Sequence, residues 1–507
     1  MAFAKVHTAQ TNLLSGNLID VEIDLSRGLH SFSIVGLPDK ATEEAKDRVS
    51  AAIKNSGFTS PKQRNQKIVI ALAPAEIKKE GSGFDVAMAV GYLMATEELE
   101  GNISETIFMG ELSLDGVLRP VRGIISITQI ARNNGFKEII VPFENRIEAA
   151  LIDGINVLPA RTFTDVINHI NGETIPPQPK TLIEATPEEN EITFDDIVGQ
   201  ESAKRALTIA AAGKHNIGLF GPPGTGKTML AKAFKGILPP LSHEEILETT
   251  SIHSISGTLK KPYLTEAPFR SPHHTSSYVA LVGGGATPKP GEITLAHKGV
   301  LFLDEFAEFE TRVLEALREP LEEKRVSVSR AKGSAIFPAN FILVAALNPC
   351  PCGNRGFKGP PCICSPVQLL KYERKISGPI LDRIDMWISV PRIDHEKLLS
   401  EKNTRENNRI REKVLEARAI QAKRFVKNKS KLNGDISVKE LVNLIKISAE
   451  VKSVLDEAAK ILNLSPRAYH KVVKLARTIA DLEGGEEIKK ENLLEALSYR
   501  PPKNTLA

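Results

Sequence analysis

Short runs of alternating apolar and polar residues open the chain. Val21-Glu22-Ile23-Asp24-Leu25 and His30-Ser31-Phe32-Ser33-Ile34-Val35 alternate as half-buried strands do. Lys67-Ile68-Val69-Ile70-Ala71-Leu72 predicts a compact buried strand. Leu112-Ser113-Leu114-Asp115-Gly116-Val117-Leu118 carries Asp-Gly between apolar flanks, the chemistry of a hairpin turn. Helix-period patterns predict helices over 84–95, 123–134 and 162–170. Together these elements predict an α/β or α+β unit.

The pattern breaks between Asn171 and Asn190. Pro176, Pro177, Pro179 and Pro187 stand there among Glu and Thr, a stiff and solvated connector. A second α/β region runs from 192 to 395, and beyond 404 the pattern is nearly all helical. Ser437-Val438-Lys439-Glu440 has the form of a capping box. Ser465-Pro466 opens a helix whose apolar positions Val472, Leu475, Ala476, Ile479 and Leu482 share one face, and Gly484-Gly485 closes it.

Composition narrows the class. A length of 507 residues gives a prior of about three domains. The 41% apolar and 25% charged content excludes collagen-like and wholly disordered chains. No apolar run reaches the ~18–20 residues of a membrane-spanning helix. The opening MAFAKVHTAQTNLLSGNLID lacks a basic stretch followed by a long apolar one, so no secretory leader and a cytoplasmic location are expected. Net charge is 66 − 62 = +4, so any basic groove must be local.

The sharpest chemistry lies in the second region. The apolar run Asn216-Ile217-Gly218-Leu219-Phe220 feeds into Gly221-Pro222-Pro223-Gly224-Thr225-Gly226-Lys227-Thr228, and a helical pattern follows. This is G-x-x-x-x-G-K-[ST] in the strand–loop–helix context the motif requires. Glycines turn backbone N–H groups inward around a phosphate, and the helix N-terminus adds its positive dipole end. Lys227 would neutralise the β/γ oxygens and the Thr228 hydroxyl would hold Mg²⁺. Val300-Leu301-Phe302-Leu303-Asp304-Glu305 is an apolar strand ending in two acids, Asp304 for the metal side and Glu305 for the attacking water. A third buried run, Phe341 to Leu347, ends at Asn348, which either orients water near the γ-phosphate or simply forms a turn.

The order of phosphate loop, LFLDE strand and NPCPCG strand end resembles AAA+ ATPases of the magnesium-chelatase-like group, and within it the ComM/YifB family. Supporting strings are Asp196-Ile197-Val198-Gly199-Gln200, Phe269-Arg270-Ser271-Pro272-His273-His274-Thr275, Pro290-Gly291-Glu292-Ile293-Thr294-Leu295-Ala296-His297 and Ser377 to Asp385. The resemblance implies a multidomain α/β protein. A Lon-peptidase-like (S5-like) α+β domain would occupy 1–172, a linker 173–191, a parallel-sheet AAA+ core 192–400 and a C-terminal helical lid 401–507. It also favours Asn348 as a γ-phosphate sensor and assigns Val198 and Gly199 to the adenine pocket. Arg383 resembles an arginine finger serving a neighbouring subunit, and Arg467 the lid arginine that contacts the γ-phosphate in cis. A trans arginine implies head-to-tail contacts that close into a ring, with a hexamer as the natural expectation. The stretch from Thr228 to Asp304 fits the helical insertion of this group. Residues 323–333 read as a hairpin with a basic tip, in which Arg330 and Lys332 are candidates for gripping DNA phosphates.

All four cysteines fall between Cys350 and Cys364. Cys350-Pro351-Cys352 and Cys362-Ile363-Cys364 suit a tetrahedral Zn²⁺. Reduced thiols packed together and disulfides are the other states the spacing allows. In the first domain, Pro74 to Asp85 resembles the segment carrying the nucleophilic serine of Lon-type peptidases. Ser82 is out of register with that nucleophile, and Gly116 to Arg122 supplies no lysine for a Ser–Lys dyad. Arginine cannot act as the deprotonated base, since its pKa stays above ~12. Proteolysis is not expected.

The resemblance implies a Mg-ATP-driven ring motor on branched or single-stranded DNA, a helicase or branch-migration factor in recombination or natural transformation. The other class is a remodeller or chelatase-type motor subunit acting on a protein or tetrapyrrole. The basic run Arg405, Arg409, Arg411, Arg418, Lys423, Arg424, Lys427, Lys429 and Lys431 fits either a nucleic-acid face or a solvated helix.

Overall fold

The computed structural model describes residues 2–12, 14–183, 192–285, 289–330, 333–357, 360–375, 378–393, 405–426 and 431–500. The chain divides into two compact units, Met1–Glu184 with Ser242–Leu264, and Ala185–Leu241 with Thr265–Ala507.

The first unit is built on a mixed seven-stranded sheet. The alternating runs lie in its strands Ser15–Arg27, Ser31–Val35 and Gln66–Ala73. Ala2–Asn12 adds a strand antiparallel to Ser15–Arg27, and Lys5 and His7 both pair with Asp20 across that ladder, at 2.8 and 2.7 Å. The Asp-Gly turn joins Glu111–Leu112 to Leu118–Arg119 as expected of a hairpin. Helices Asp85–Ala95, Ile124–Asn133 and Phe163–Ile170 follow the predicted ranges. Helix His243–Ser256 also belongs to this unit, although in sequence it interrupts the second unit. It docks through hydroxyls. Ser254 Oγ accepts from the Gly123 amide at 2.8 Å, and Ser251 meets Ser126 at 2.8 Å.

A five-stranded all-parallel sheet organises the second unit. Its spatial order is Phe269–Arg270, Val300–Leu303, Ile342–Leu347, Ile217–Phe220, Met386–Ser389. The central strands are buried along their whole length, as a parallel sheet covered on both faces requires. The helical region beyond residue 404, expected as a separate lid, shares one continuous core with this sheet. Polar ties reinforce the join. Buried Lys204 pairs with buried Glu406 at 2.7 Å, and Arg205 makes a two-pronged bond to Glu495 at 2.9 and 3.0 Å. Arg418 donates to the Ala211 carbonyl, Arg424 pairs with fully buried Asp481, and Lys431 pairs with Glu440. Three of the nine residues of the basic run are thus part of the unit's own packing. Lys427 and Lys429 lie outside the described residues.

Capping chemistry behaves as read. Ser437 and Glu440 form the reciprocal box at the start of Val438–Leu444, and Ser465 caps Pro466–Leu482. Gly484 takes φ +69° after that helix, a backbone state natural to glycine. Among the described residues, no helix is long and apolar enough to cross a membrane.

Candidate nucleotide site

Parallel strands place their carboxyl ends along one edge, and the phosphate-loop chemistry gathers there. The loop follows strand Ile217–Phe220 and turns into helix Lys227–Gly236 through Gly224 at φ +74° and Gly226 at φ +86°. Lys227 is nearly buried. Its ammonium donates to the carbonyls of Gly221 and Pro222 at 2.8 and 2.7 Å, and to Asn348 Oδ1 at 3.1 Å. Burial pulls its pKa down to about 8, partly opposed by the charge of Asp304. Thr225 closes the turn by donating to the Pro222 carbonyl.

Thr228 Oγ1 donates to Asp304 Oδ2 at 2.7 Å, so two hard oxygen donors meet beside the loop. That donor set suits Mg²⁺. Glu305 sits at φ +50°, an uncommon backbone state for a residue with a side chain, and its carboxylate is half exposed. His274 Nδ1 lies 3.1 Å from it. Asn348 ends the strand between the loop strand and the acidic strand, and its carbonyl accepts from the Tyr372 hydroxyl at 2.9 Å. The order of sheet strands therefore brings Lys227, Thr228, Asp304, Glu305 and Asn348 together.

Val198 and Gly199 precede helix Glu201–Gly213 and are half-buried. Gln200 ties them to the loop, donating to the Thr225 carbonyl at 3.4 Å and to the Pro391 carbonyl at 2.7 Å. The side chain of Ile393 lies against Gly199, which gives an apolar wall of the kind an adenine ring would need.

The structure does not bring Arg383 or Arg467 to this cluster. Arg383 lies just before strand Met386–Ser389, and Arg467 begins helix Pro466–Leu482. Both guanidiniums pair with one carboxylate, Glu322 Oε1, at 2.8 and 2.7 Å. The surrounding cavity is about 830 Å³ and is lined by Lys214, Asn216, Lys298, Asn340 and Asp385, which precede the sheet's strands. The two arginines thus stand at the amino ends of strands whose carboxyl ends hold the loop. Even a four-residue strand separates its ends by about 13 Å. In this chain Arg467 keeps company with Arg383 rather than with the loop.

This second cavity is cationic. Lys214, Lys324, Lys431, Lys471 and Lys474 line it along with the two arginines, against Glu322, Asp385 and Asp435. Burial lowers the pKa values of Lys471 and Lys474 and takes that of Lys214 to about 8, while neighbouring lysines hold Asp435 below the usual carboxylate range.

Hairpin Arg325–Arg330 with Gly333–Pro338 forms as read, with Arg330 opposite Gly333. Lys332 lies outside the described residues. In the first unit, the Ser82 hydroxyl donates to Glu111, and the buried Lys79 ammonium donates to the Pro74 carbonyl. The two are not partners. The four cysteine sulfurs lie within 4.8 Å of one another. Sequence reasoning missed Glu322 and gave His274 no role, although His274 stood inside the quoted SPHHT string.

Comparison with known proteins agrees with the strand order and loop. Residues 193–398 match the family described as magnesium chelatase, subunit ChlI; residues 21–145 and 404–500 match subunit ChlI of Mg-chelatase and its C-terminal region. Competence protein ComM of Haemophilus influenzae is 42% identical over 99% of this chain and 98% of its own length. YifB of Escherichia coli is 41% identical over 99% of this chain and 97% of its own. The chain belongs to the magnesium-chelatase-like AAA+ family of ComM and YifB. Lon protease 2 of Bacillus subtilis shares 29% identity across 31% of the chain and 30% of its own length. Membership of this AAA+ family implies ATPase activity, and with it ATP and Mg²⁺.

Proposed function

We propose that this protein is a ring-forming, Mg-ATP-driven motor acting on DNA. What carries the reading is the split of the site. The phosphate loop with Asp304, Glu305 and Asn348 stands at one end of the strands, and Arg383 with Arg467 at the other. A site divided this way is completed by a neighbour docked head to tail, and such contacts close into rings. A hexamer is the assembly we assign.

In this reading the backbone amides of residues 221–228 cradle the triphosphate and Lys227 exchanges its carbonyl partners for β/γ oxygens. Val198 and Gly199 take the adenine. Thr228 and Asp304 would hold Mg²⁺, which supplies charge neutralisation on the phosphates when bound. Glu305 orients the attacking water and accepts its proton, and His274 fixes the carboxylate. Asn348 senses the terminal phosphate. Arg383, and with it Arg467, leaves Glu322 to stabilise charge developing on the neighbour's nucleotide.

DNA as substrate is supported by the competence role in the name of the H. influenzae relative and by the hairpin whose first strand ends in Arg330, with Lys332 next in the sequence as a second candidate phosphate contact. Helicase or branch-migration work in transformation follows from that pairing. The first unit, Lon-like in kind, serves assembly or DNA contact and not proteolysis, in keeping with Ser82 and Lys79 bonding to Glu111 and the Pro74 carbonyl instead of to each other. A cytoplasmic location fits a DNA substrate.

ATP turnover measured with forked, four-way and duplex DNA tests the proposal. Turnover should rise with branched or single-stranded DNA, and the rise should shrink as salt is added. Turnover indifferent to saturating DNA but raised by a protein or tetrapyrrole would replace it with the remodeller or chelatase-type reading.

A further inference from the structure

We propose that the four cysteines hold one zinc ion and that the resulting knuckle braces the phosphate loop. The inference rests on the reading of residues 221–228 as a nucleotide site, but not on DNA.

The sulfur geometry comes first. Cys350 Sγ lies 3.4 Å from Cys352 and 3.7 Å from Cys362, and Cys352 lies 3.6 Å from Cys362. A tetrahedral ion with sulfur ligands at about 2.3 Å sets those sulfurs about 3.8 Å apart. The observed edges are close to that, and Cys364 completes a set in which all sulfurs lie within 4.8 Å. The amides of Asn354 and Ile363 point to the Cys352 sulfur, and that of Cys364 to the Cys362 sulfur. Amide donors of this kind orient and support thiolate ligands. Four soft sulfurs in a tetrahedron select zinc over Mg²⁺ or Ca²⁺. Binding drives the thiol protons into solvent, so each ligand enters as thiolate.

The second observation is where the knuckle rests. Gly353 packs so tightly on the loop that a methyl group there would lie 2.4 Å from Cδ of Pro223, inside the phosphate loop. The Phe357 ring lies tilted at 46° against that of Phe220, the residue that feeds the loop, with ring centres 5.6 Å apart. On the other side, Cys350 follows Asn348 by two residues, and Asn348 accepts from Lys227. The knuckle therefore touches the loop's entry, its second proline and its γ-phosphate amide.

Between Cys350 and Cys364 the described backbone forms turns and no helix or strand. Such a segment has no ladder of its own to hold position, so a cross-link supplies the order that keeps Gly353 and Phe357 seated. A loop already shaped for phosphate binds nucleotide without first being ordered.

The test uses the full chain without DNA. Zinc is measured in protein purified without added metal, then released by titrating the thiols with a mercurial and restored with thiol reagent plus zinc. Fluorescent mant-ATP affinity is followed at each stage. About one zinc per chain is expected, with affinity falling about tenfold on release and returning on restoration. Phe357→Ala, which leaves the ligands in place, should keep its zinc and still bind mant-ATP several-fold more weakly. Protein that neither carries nor takes up zinc would overturn the metal site. Stoichiometric zinc whose release leaves mant-ATP affinity unchanged would overturn the brace. A failure of the DNA-motor reading would alter neither measurement.

Discussion

The two ends of the parallel sheet are made of opposite materials. At the carboxyl ends, glycine-rich backbone, Lys227 and a row of oxygen ligands make a phosphate cradle whose side-chain bonds join Lys227 to Asn348 and Thr228 to Asp304. At the amino ends, two arginines and a cluster of lysines surround a cavity that has no such loop. On the proposed reading, each end supplies what completes the other. The same five strands carry both, so the separation is fixed by strand length and not by side-chain choice. On the proposed ring reading, catalysis is a property of a pair of subunits.

Mixing experiments attack this contrast most directly. Arg383→Ala should lower turnover about 10³-fold or more, the scale on which arginine fingers act. Lys227→Ala should abolish nucleotide binding or turnover. Mixed together, the two inactive variants should regain turnover that neither shows alone, because the intact loop of one meets the intact arginine of the other. Mixtures that stay inactive while forming rings would show that the two ends do not cooperate across subunits.

A smaller effect sharpens the chemistry of the carboxyl end. Glu305→Gln should cut turnover about 10²-fold while leaving nucleotide bound and unhydrolysed, since only the proton-accepting role is lost. Filter-binding of labelled ATP alongside phosphate release separates the two, and normal hydrolysis would remove Glu305 from its role.

The mildest test is pH. Lys227 is lowered to about 8 before nucleotide arrives, and phosphate oxygens favour its charged form. Below that value the ammonium is already protonated and affinity should be flat. Above it the neutral amine prevails, binding must take up a proton, and affinity should fall by at most about tenfold per pH unit. Calorimetry in buffers of different ionisation enthalpy reads that uptake at pH 9, and its absence would assign the charge elsewhere.

The cradle was legible in the sequence because its parts are contiguous. Gly221 to Thr228, Asp304-Glu305 and Asn348 each close an apolar run, and parallel pairing brings run ends together by itself. Glu322 was not legible. It lies in a short helix, Arg318–Glu323, and meets Arg467 across 145 residues of sequence, a contact no local spacing encodes. Helix His243–Ser256 was expected only as part of the helical insertion between Thr228 and Asp304, and its place in the first unit was not legible for another reason. Its buried residues include Thr249, Thr250, Ser251, His253 and Ser254, so no apolar stripe marks the face that docks. The opening strand Ala2–Asn12 was overlooked because polar Lys5, His7 and Gln10 interleave with small Ala4 and Ala9. Arg418 and Arg424 show the converse. A basic run that reads as surface includes cations spent on Ala211 and Asp481 inside the unit.

One acid sharing two guanidiniums has a last effect on the life of an unassembled copy. While Glu322 pairs with both guanidiniums, a lone subunit would, on the proposed ring reading, idle with its fuel uncut. On that reading, arrival of a neighbour's triphosphate would compete for both at once, and the pair would let go as a unit. Ignition would then be tied to encirclement: hydrolysis begins when copies have met, and stops when they part.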